Sequence, residues 1–312
     1  MSFVYAIPLH NRFRGITVRE GVLLRGAAGW GEFCPFADYS DTESAPWLAS
    51  ALEASEVGWP EPVRDRIEVN TTVPVVSPER AYELVTASGC RTAKVKVADP
   101  RSSLVDDCDR VAAVRDALGP AGAIRVDANT AWDVDTAVKS IRELNRAAGG
   151  LEYVEQPCPS IEDLAAVRLC VDVRIAADES IRRAEDPLKV AVAEAADVAV
   201  IKVAPLGGVR RALEVAEACG LPCVVSSAVE TSVGLAAGLA LAGALPTLDF
   251  ACGLGTRSLL TGDVTTDELS PKDGYLPVPR TAPEPNTAEK FAASQETTEH
   301  WQARLTRVQH HL

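Results

Sequence analysis

The sequence predicts an α/β protein: a (β/α)7β, TIM-like barrel with an α+β capping domain built from the N-terminal segment and the C-terminal tail. Three observations carry that expectation. Eight short, β-branched runs recur from residue 68 onward, roughly 24 to 31 residues apart. Between them lie Ala-, Leu-, Glu- and Arg-rich stretches whose apolar residues repeat every three or four positions, the helical period. This texture is missing before residue 68 and breaks after about 260. Strands alternating with helices pair in parallel through right-handed crossovers, and eight such units suit a closed barrel. An open doubly wound sheet is the structural rival, but no G-x-G-x-x-G follows the first run. The expected division is 1–67 for the first part of the cap, 68–259 for the barrel, and 260–312 for a tail that packs on the cap.

Taken in order, VREGVLLRGAAGWGEFCPF reads as a β-hairpin turning at Gly26–Gly29 and running into a Gly/Pro-rich loop. WLASALEASEVG reads as a helix. The barrel runs are EVNTTVPVV (68–76), TAKVKVA (92–98), AIRVDAN (123–129), LEYVEQP (151–157), RIAADES (174–180), VAVIKVAP (198–205), PCVVSS (222–227) and TLDFACG (247–253). Helical spacing marks SSLVDDCDRVAAVRDALG, TAVKSIRELNRAA, IEDLAAVRLCV and VRRALEVAEACG. The tail LLTGDVTTDELSPKDGYLPVPRTAPEPN is turn-rich. A last amphipathic helix is expected to start at Asn286 with Glu289 in a capping box. It would carry Thr298, Trp301, Leu305, Val308 and Leu312 on one face.

Bulk properties narrow the function. Over 312 residues the net charge is −13, with no long basic run, which argues against nucleic-acid or anionic-membrane partners. No apolar run approaches the ~18–20 residues of a membrane span, and MSFVYAIPLHNRFRG has no secretory h-region. The 8 cysteines include no C-x-x-C pair and read as reduced thiols of a cytoplasmic protein, not as a zinc site. The 4 histidines lie near the termini, so histidine-based triads and metal sites are not expected in the barrel. No surface stripe specifies an oligomer, and a monomer is favoured. A small molecule is the expected partner.

The charged residues at the ends of the runs carry the chemistry. Barrel sites sit at the C-terminal ends of the strands. There the second run has Lys94 and Lys96, the third Asp127 and Asn129, the fourth Glu155, the fifth Asp178 and Glu179, and the sixth Lys202. Singly, each carboxylate could be a loop cap or salt-bridge partner, and Lys94-x-Lys96 a solvated edge. Together they are hard to assign to packing, because central parallel strands should be almost wholly apolar. Three carboxylates are hard oxygen ligands that suit Mg²⁺. A divalent ion offsets their repulsion and stabilises an enediolate when a substrate carboxylate loses its α-proton. A lysine beside a cation and a second lysine has its pKa lowered toward a useful base. Lys94 and Lys96, one residue apart on a strand, point to the same side and supply that pair.

At these residues the chain resembles the enolase superfamily, in its muconate-lactonising subgroup, over nearly its whole length. The resemblance rests on Lys94-x-Lys96, Arg125-x-Asp127-x-Asn129-x-x-Trp132, Glu155-Gln156-Pro157, Asp178-Glu179-Ser180 and Lys202, with GWGEFCPF similar to a cap segment. Within the subgroup it is most similar to the o-succinylbenzoate synthase family. The resemblance implies Asp127, Glu155 and Asp178 as Mg²⁺ ligands and Lys96 as the general base. It implies Lys202 as stabiliser of the enediolate from the opposite face and Lys94 as the neighbour that assists Lys96 and the substrate carboxylate. Arg125 and Asn129 would orient ligands or substrate. In SSAVETSVGLAAGLA, Ser226 and Ser227 would meet a succinyl tail, and the helix after Glu230 would offer N–H groups to an anion. The implied reaction is syn loss of water from a cyclohexadiene carboxylate. An N-succinylamino acid racemase on the same framework stays open, since it needs a base on each face and both lysines are present. Lys202 alone would also suit a Schiff-base aldolase, and a barrel kept as a binding scaffold is a non-enzyme alternative.

Overall fold

A computed structural model describes residues 2–182 and 194–312. Seven parallel strands form one curved sheet in sequence order: β5 (Thr71–Val73), β6 (Thr92–Lys96), β7 (Ala123–Asp127), β8 (Tyr153–Glu155), β9 (Ile175–Ala177), β10 (Val198–Ile201) and β11 (Cys223–Val225). The eighth run closes the barrel with two parallel bridges, Val69 to Cys252 and Ser226 to Gly253. Four backbone bonds stitch that seam, among them Cys252 N–H to Glu68 O at 2.7 Å and Gly253 N–H to Val225 O at 2.8 Å. A Cβ at Gly253 would lie 2.6 Å from Ser226 Oγ, so the seam is a close glycine crossing and not the full strand expected.

Period-2 alternation sorts the side chains. Val95, Val126 and Val154 face the helices in the large outer core. Tyr153, Ala176, Val198, Val200 and Val224 fill the lumen with Phe250 against them. Both faces are covered, which is why these strands are mostly apolar, with Lys94 and Arg125 the charged residues inside them and the other charges at their ends. The helices obey the expected spacing. Helix α4 (Val134–Ala148), which follows α1 (Asp41–Leu52), α2 (Pro78–Ser88) and α3 (Leu104–Leu118), buries Ala137, Ile141, Leu144 and Ala148 at helical spacing. Asp133 caps its start, and Gly149, in the left-handed region at φ 60°, ends it.

The cap holds three antiparallel strands, β1 (Ser2–Phe13), β2 (Ile16–Gly26) and β3 (Gly29–Phe33), with α1 packed on them. The hairpin turns between Gly26 and Gly29 as expected. Strand β1 was not legible from sequence, because its pattern is broken by Pro8, His10, Asn11 and Arg12. Gly31 lets the sheet touch α1: a Cβ there would stand 2.0 Å from Ala51 O.

Two further expectations need correction. The first barrel run is divided, since Arg66–Glu68 (β4) pairs instead with Tyr275–Pro277 (β12) in a separate ribbon. The last helix, α10 (Gln295–Gln309), is capped by Ser294, eight residues beyond the Asn286 expected. Asn286 instead ties down Thr266, accepting from its N–H at 2.9 Å and donating to its hydroxyl at 2.8 Å. Trp301 and Val308 are buried on α10 as expected, but Leu312 is exposed and Arg304 takes a buried place. Arg304 donates to the carbonyls of Phe36 and Tyr39, both at 2.9 Å, so the tail clasps the cap.

Candidate active site

Register brings the charged strand ends to one height. Lys96 lies opposite Asp127, and Asp127 opposite Glu155. Asp178 and Lys202 directly follow β9 and β10. The lumen residues Tyr153, Ala176 and Val200 sit two positions below Glu155, Asp178 and Lys202, so alternation aims these three inward as well. The lysines meet the carboxylates directly. Lys96 Nζ donates to Asp127 Oδ2 at 2.5 Å and to Asn129 Oδ1 at 2.7 Å. Lys94 Nζ donates to both Glu155 oxygens, at 3.0 and 2.9 Å, and lies 3.2 Å from Asp127. Lys202 Nζ donates to Asp178 Oδ2 at 2.5 Å.

The electrostatics differentiate the two neighbouring lysines. Burial opposes the charge of Lys94, but Glu155 and Asp127 outweigh it and hold the ammonium well above the usual lysine range. Burial pushes Lys96 below that range, helped by the positive charge of Lys94 against the pull of Asp127. Burial would raise Asp127, yet Lys96 and Lys94 hold it well below the usual carboxylate range. Burial, then Asp127, pushes Glu155 up to about 7. One lysine is thus kept charged beside another that is eased toward neutrality, the arrangement a general base needs.

Lys94, Lys96 and Lys202 share one narrow cavity of about 20 Å³ with Asn129, Ser226 and Ser227. Its other walls include Phe13, Arg14 and Phe36 from the cap and Thr72 and Thr256 from the barrel. Phe13, Arg14, Lys96 and Asn129 also border an open chamber of about 480 Å³, which makes it the approach to the cavity. The cap residues were missed from sequence because Phe13 and Arg14 lie at a turn with no motif, placed there by β1 and β2. Arg14 stacks on Phe36 at 4.6 Å, and Lys96 Nζ stands 5.3 Å from the Phe13 ring.

Two groups expected to bind or orient a ligand are engaged by the protein itself. Arg125 is fully buried below the site, its Nε on Glu152 Oε2 at 2.5 Å and its Nη1 on Asn70 Oδ1 at 3.1 Å and Ala251 O at 2.6 Å. It stacks on Tyr153 at 4.7 Å, so the groups it contacts belong to the barrel floor. The N–H groups of the helix after Glu230, α9 (Ser232–Ala244; α5 to α8 are Ile161–Cys170, Glu179–Arg182, Val203–Leu206 and Val209–Cys219), are already occupied. Glu32 of the cap accepts from Thr231 N at 3.2 Å and Gly234 N at 2.8 Å, and Asp263 accepts from Ser232 N at 3.2 Å. The anion at this helix start is therefore the cap's own carboxylate, which seats the cap on the barrel.

The donor set fits a hard divalent cation in kind: three buried carboxylates from three successive strand ends, one pushed up by burial and a like-charged neighbour. Among the described residues no three acidic, His or Cys side chains stand at metal-ligating spacing. Lys94 lies between Asp127 and Glu155, and Lys202 lies on Asp178, so a cation would take over charge the ammonium groups now neutralise.

Known proteins share this fold. The Enolase C-terminal domain-like family model matches residues 77–283, and the Enolase N-terminal domain-like model residues 4–55. An L-Ala-D/L-Glu epimerase from Bacillus subtilis superposes with a TM-score of 0.76 at 26% identity, over 91% of this chain and 96% of that one. The chain belongs to the enolase superfamily. It is 62% identical over 301 residues to an o-succinylbenzoate synthase of Thermobifida fusca, covering 96% of this chain and 93% of that protein. It is 52% identical over 299 residues to the o-succinylbenzoate synthase of Mycolicibacterium smegmatis, covering 96% and 92%. Within the superfamily its family is that of the o-succinylbenzoate synthases. No helix among the described residues is long and apolar enough to cross a membrane.

Proposed function

We propose that this chain is a dehydratase of the o-succinylbenzoate synthase type, converting 2-succinyl-6-hydroxy-2,4-cyclohexadiene-1-carboxylate to 2-succinylbenzoate in menaquinone biosynthesis. The observation that carries the reading is the pair of unlike lysines, Lys94 and Lys96, sharing a cavity with Lys202. Lys96, eased toward neutrality, takes the proton α to the substrate carboxylate and returns it to the departing hydroxyl on the same face, so that water leaves. Lys202 offers positive charge to the carboxylate region from the far side. Lys94 stays protonated and keeps the local field positive. Asn129 holds Lys96 Nζ in place at 2.7 Å. Ser226 and Ser227 line the cavity as candidates for the succinyl tail, although both hydroxyls now lean on Gly253 O, Ser227 at 3.0 Å. Phe13 and Phe36 exclude water above the reacting carbon.

Asp127, Glu155 and Asp178 would hold Mg²⁺, which supplies Lewis-acid stabilisation of charge on the substrate carboxylate. A cytoplasmic setting and a small carboxylate partner accompany this reading. The test is dehydration of the cyclohexadiene carboxylate by chelator-treated protein with and without added Mg²⁺, beside N-succinylamino acids in deuterated water. Mg²⁺-dependent dehydration with little α-deuterium exchange supports the reading. Exchange or racemisation at comparable efficiency would assign the same cavity to a racemase, for which Lys96 and Lys202 would be the two bases. Activity that survives chelation would remove the metal.

A further inference from the structure

Gln156 is part of the Glu155-Gln156-Pro157 motif, yet no step above uses it. It is fully buried and holds a left-handed backbone conformation at φ 39°, uncommon for a residue with a side chain. Its carboxamide is saturated. Oε1 accepts from the backbone N–H of Asp178 at 2.8 Å and of Ser180 at 3.1 Å. Nε2 donates to Cys158 O at 3.0 Å and to Ser180 Oγ at 2.7 Å. Its backbone is engaged on both sides: its N–H donates to Ala176 O at 2.8 Å, and its carbonyl accepts from Thr130 N–H at 2.8 Å. One residue therefore ties together the ends of β7, β8 and β9, which carry Asp127, Glu155 and Asp178.

We infer that Gln156 is a positioning residue for the metal-ligand set, fixing the Glu155 and Asp178 strand ends relative to each other so that their carboxylates can converge on Mg²⁺. The inference rests on the reading of those carboxylates as ligands. The physical reason is that both ligands sit at strand termini, where the ladder has stopped and backbone N–H groups no longer have strand partners. A carboxamide offers an acceptor to one strand end and donors to its own turn within one rigid plane. Leucine would match its volume but make none of these bonds. Glutamate would keep the acceptor and set a second oxygen against Cys158 O. Groups that orient ligands in this way typically matter about 10–100-fold in metal affinity.

The experiment is calorimetric titration of Mg²⁺ alone into chelator-stripped full-length protein, for wild type, Gln156→Leu, Gln156→Glu, Ser180→Ala and Asp178→Ala. The thermal melt of each metal-free variant is measured in parallel. Gln156→Leu is expected to weaken Mg²⁺ binding about 10–100-fold, with kcat largely recovered at saturating Mg²⁺; Ser180→Ala, which leaves Oε1 engaged, should weaken it less. Should Gln156→Leu not fold, Gln156→Glu carries the same prediction and Ser180→Ala the smaller loss. Folded Gln156 variants that bind Mg²⁺ within about twofold of wild type, while Asp178→Ala abolishes binding, would overturn the positioning role alone. Wild-type protein that takes up no Mg²⁺, or Asp178→Ala protein that binds it normally, would overturn the ligand reading and this inference with it.

Discussion

Arg125→Met tests whether the arginine of the third strand serves the substrate or the barrel floor. The structure gives the terms. Arg125 is fully buried, bonded to Glu152, Asn70 and Ala251, and stacked between Tyr153 at 4.7 Å and Phe250 at 5.8 Å. Breaking a buried ion pair costs about 3–5 kcal/mol. Here Glu152 is 23% exposed and can rehydrate, which pulls the figure toward the lower end. The stranded Asn70 and Ala251 oxygens add about 1–3 kcal/mol each if they stay dry, and the lost cation–π contacts about 0.5–2 kcal/mol. Against this, Arg125 Nη2 already lacks a partner, and methionine regains apolar contact. A net loss of at least about 3 kcal/mol follows, read as a lower urea midpoint with an unchanged slope. Because Ala251 lies in the seam that closes the barrel, the loss should appear as global unfolding. KM for the cyclohexadiene carboxylate should stay within about twofold once the folded fraction is allowed for. A variant within about 1 kcal/mol of wild-type stability but with KM raised about tenfold would refute the reasoning and return Arg125 to the substrate.

Three more outcomes are expected. Lys96→Ala should fold normally and lose about 10²–10⁴-fold or more in kcat, the contribution of a positioned base; substantial residual dehydration would remove Lys96 from that role. In the wild type the base must be neutral to accept a proton. As burial and Lys94 lower Lys96, kcat/KM should therefore rise with pH to a midpoint below the ordinary lysine value of about 10.4, and a midpoint at or above it would contradict the assignment. Gly31→Ala should drive α1 off the cap sheet, since the new Cβ would meet Ala51 O at 2.0 Å. A cost of about 1–3 kcal/mol is expected in the melt, and an unshifted melt would show that the contact relaxes freely.

The sequence by itself determined the alternation of strand and helix and the identity of the charged residues in and at the ends of the strands. These are local properties, set by a few neighbouring residues and by periods of two and three to four. Lys94, Lys96, Asp127, Glu155, Asp178 and Lys202 were legible because charge is conspicuous in strands that are otherwise apolar on both faces. Tertiary structure decided what depends on distant partners. Arg125 shares the inward face of β7 with Asp127, so its position alone could not tell mouth from floor. Glu152, Asn70 and Ala251 drew it downward. The N–H groups at the start of α9 looked available for a ligand until Glu32, some two hundred residues earlier, came to occupy them. The last helix began at Ser294, not Asn286, because Asn286 was already engaged with Thr266. Local pattern names the chemistry a segment can perform. Which of its hydrogen bonds are spent on the fold, and which remain for a ligand, is settled only when segments far apart in the chain compete for the same groups.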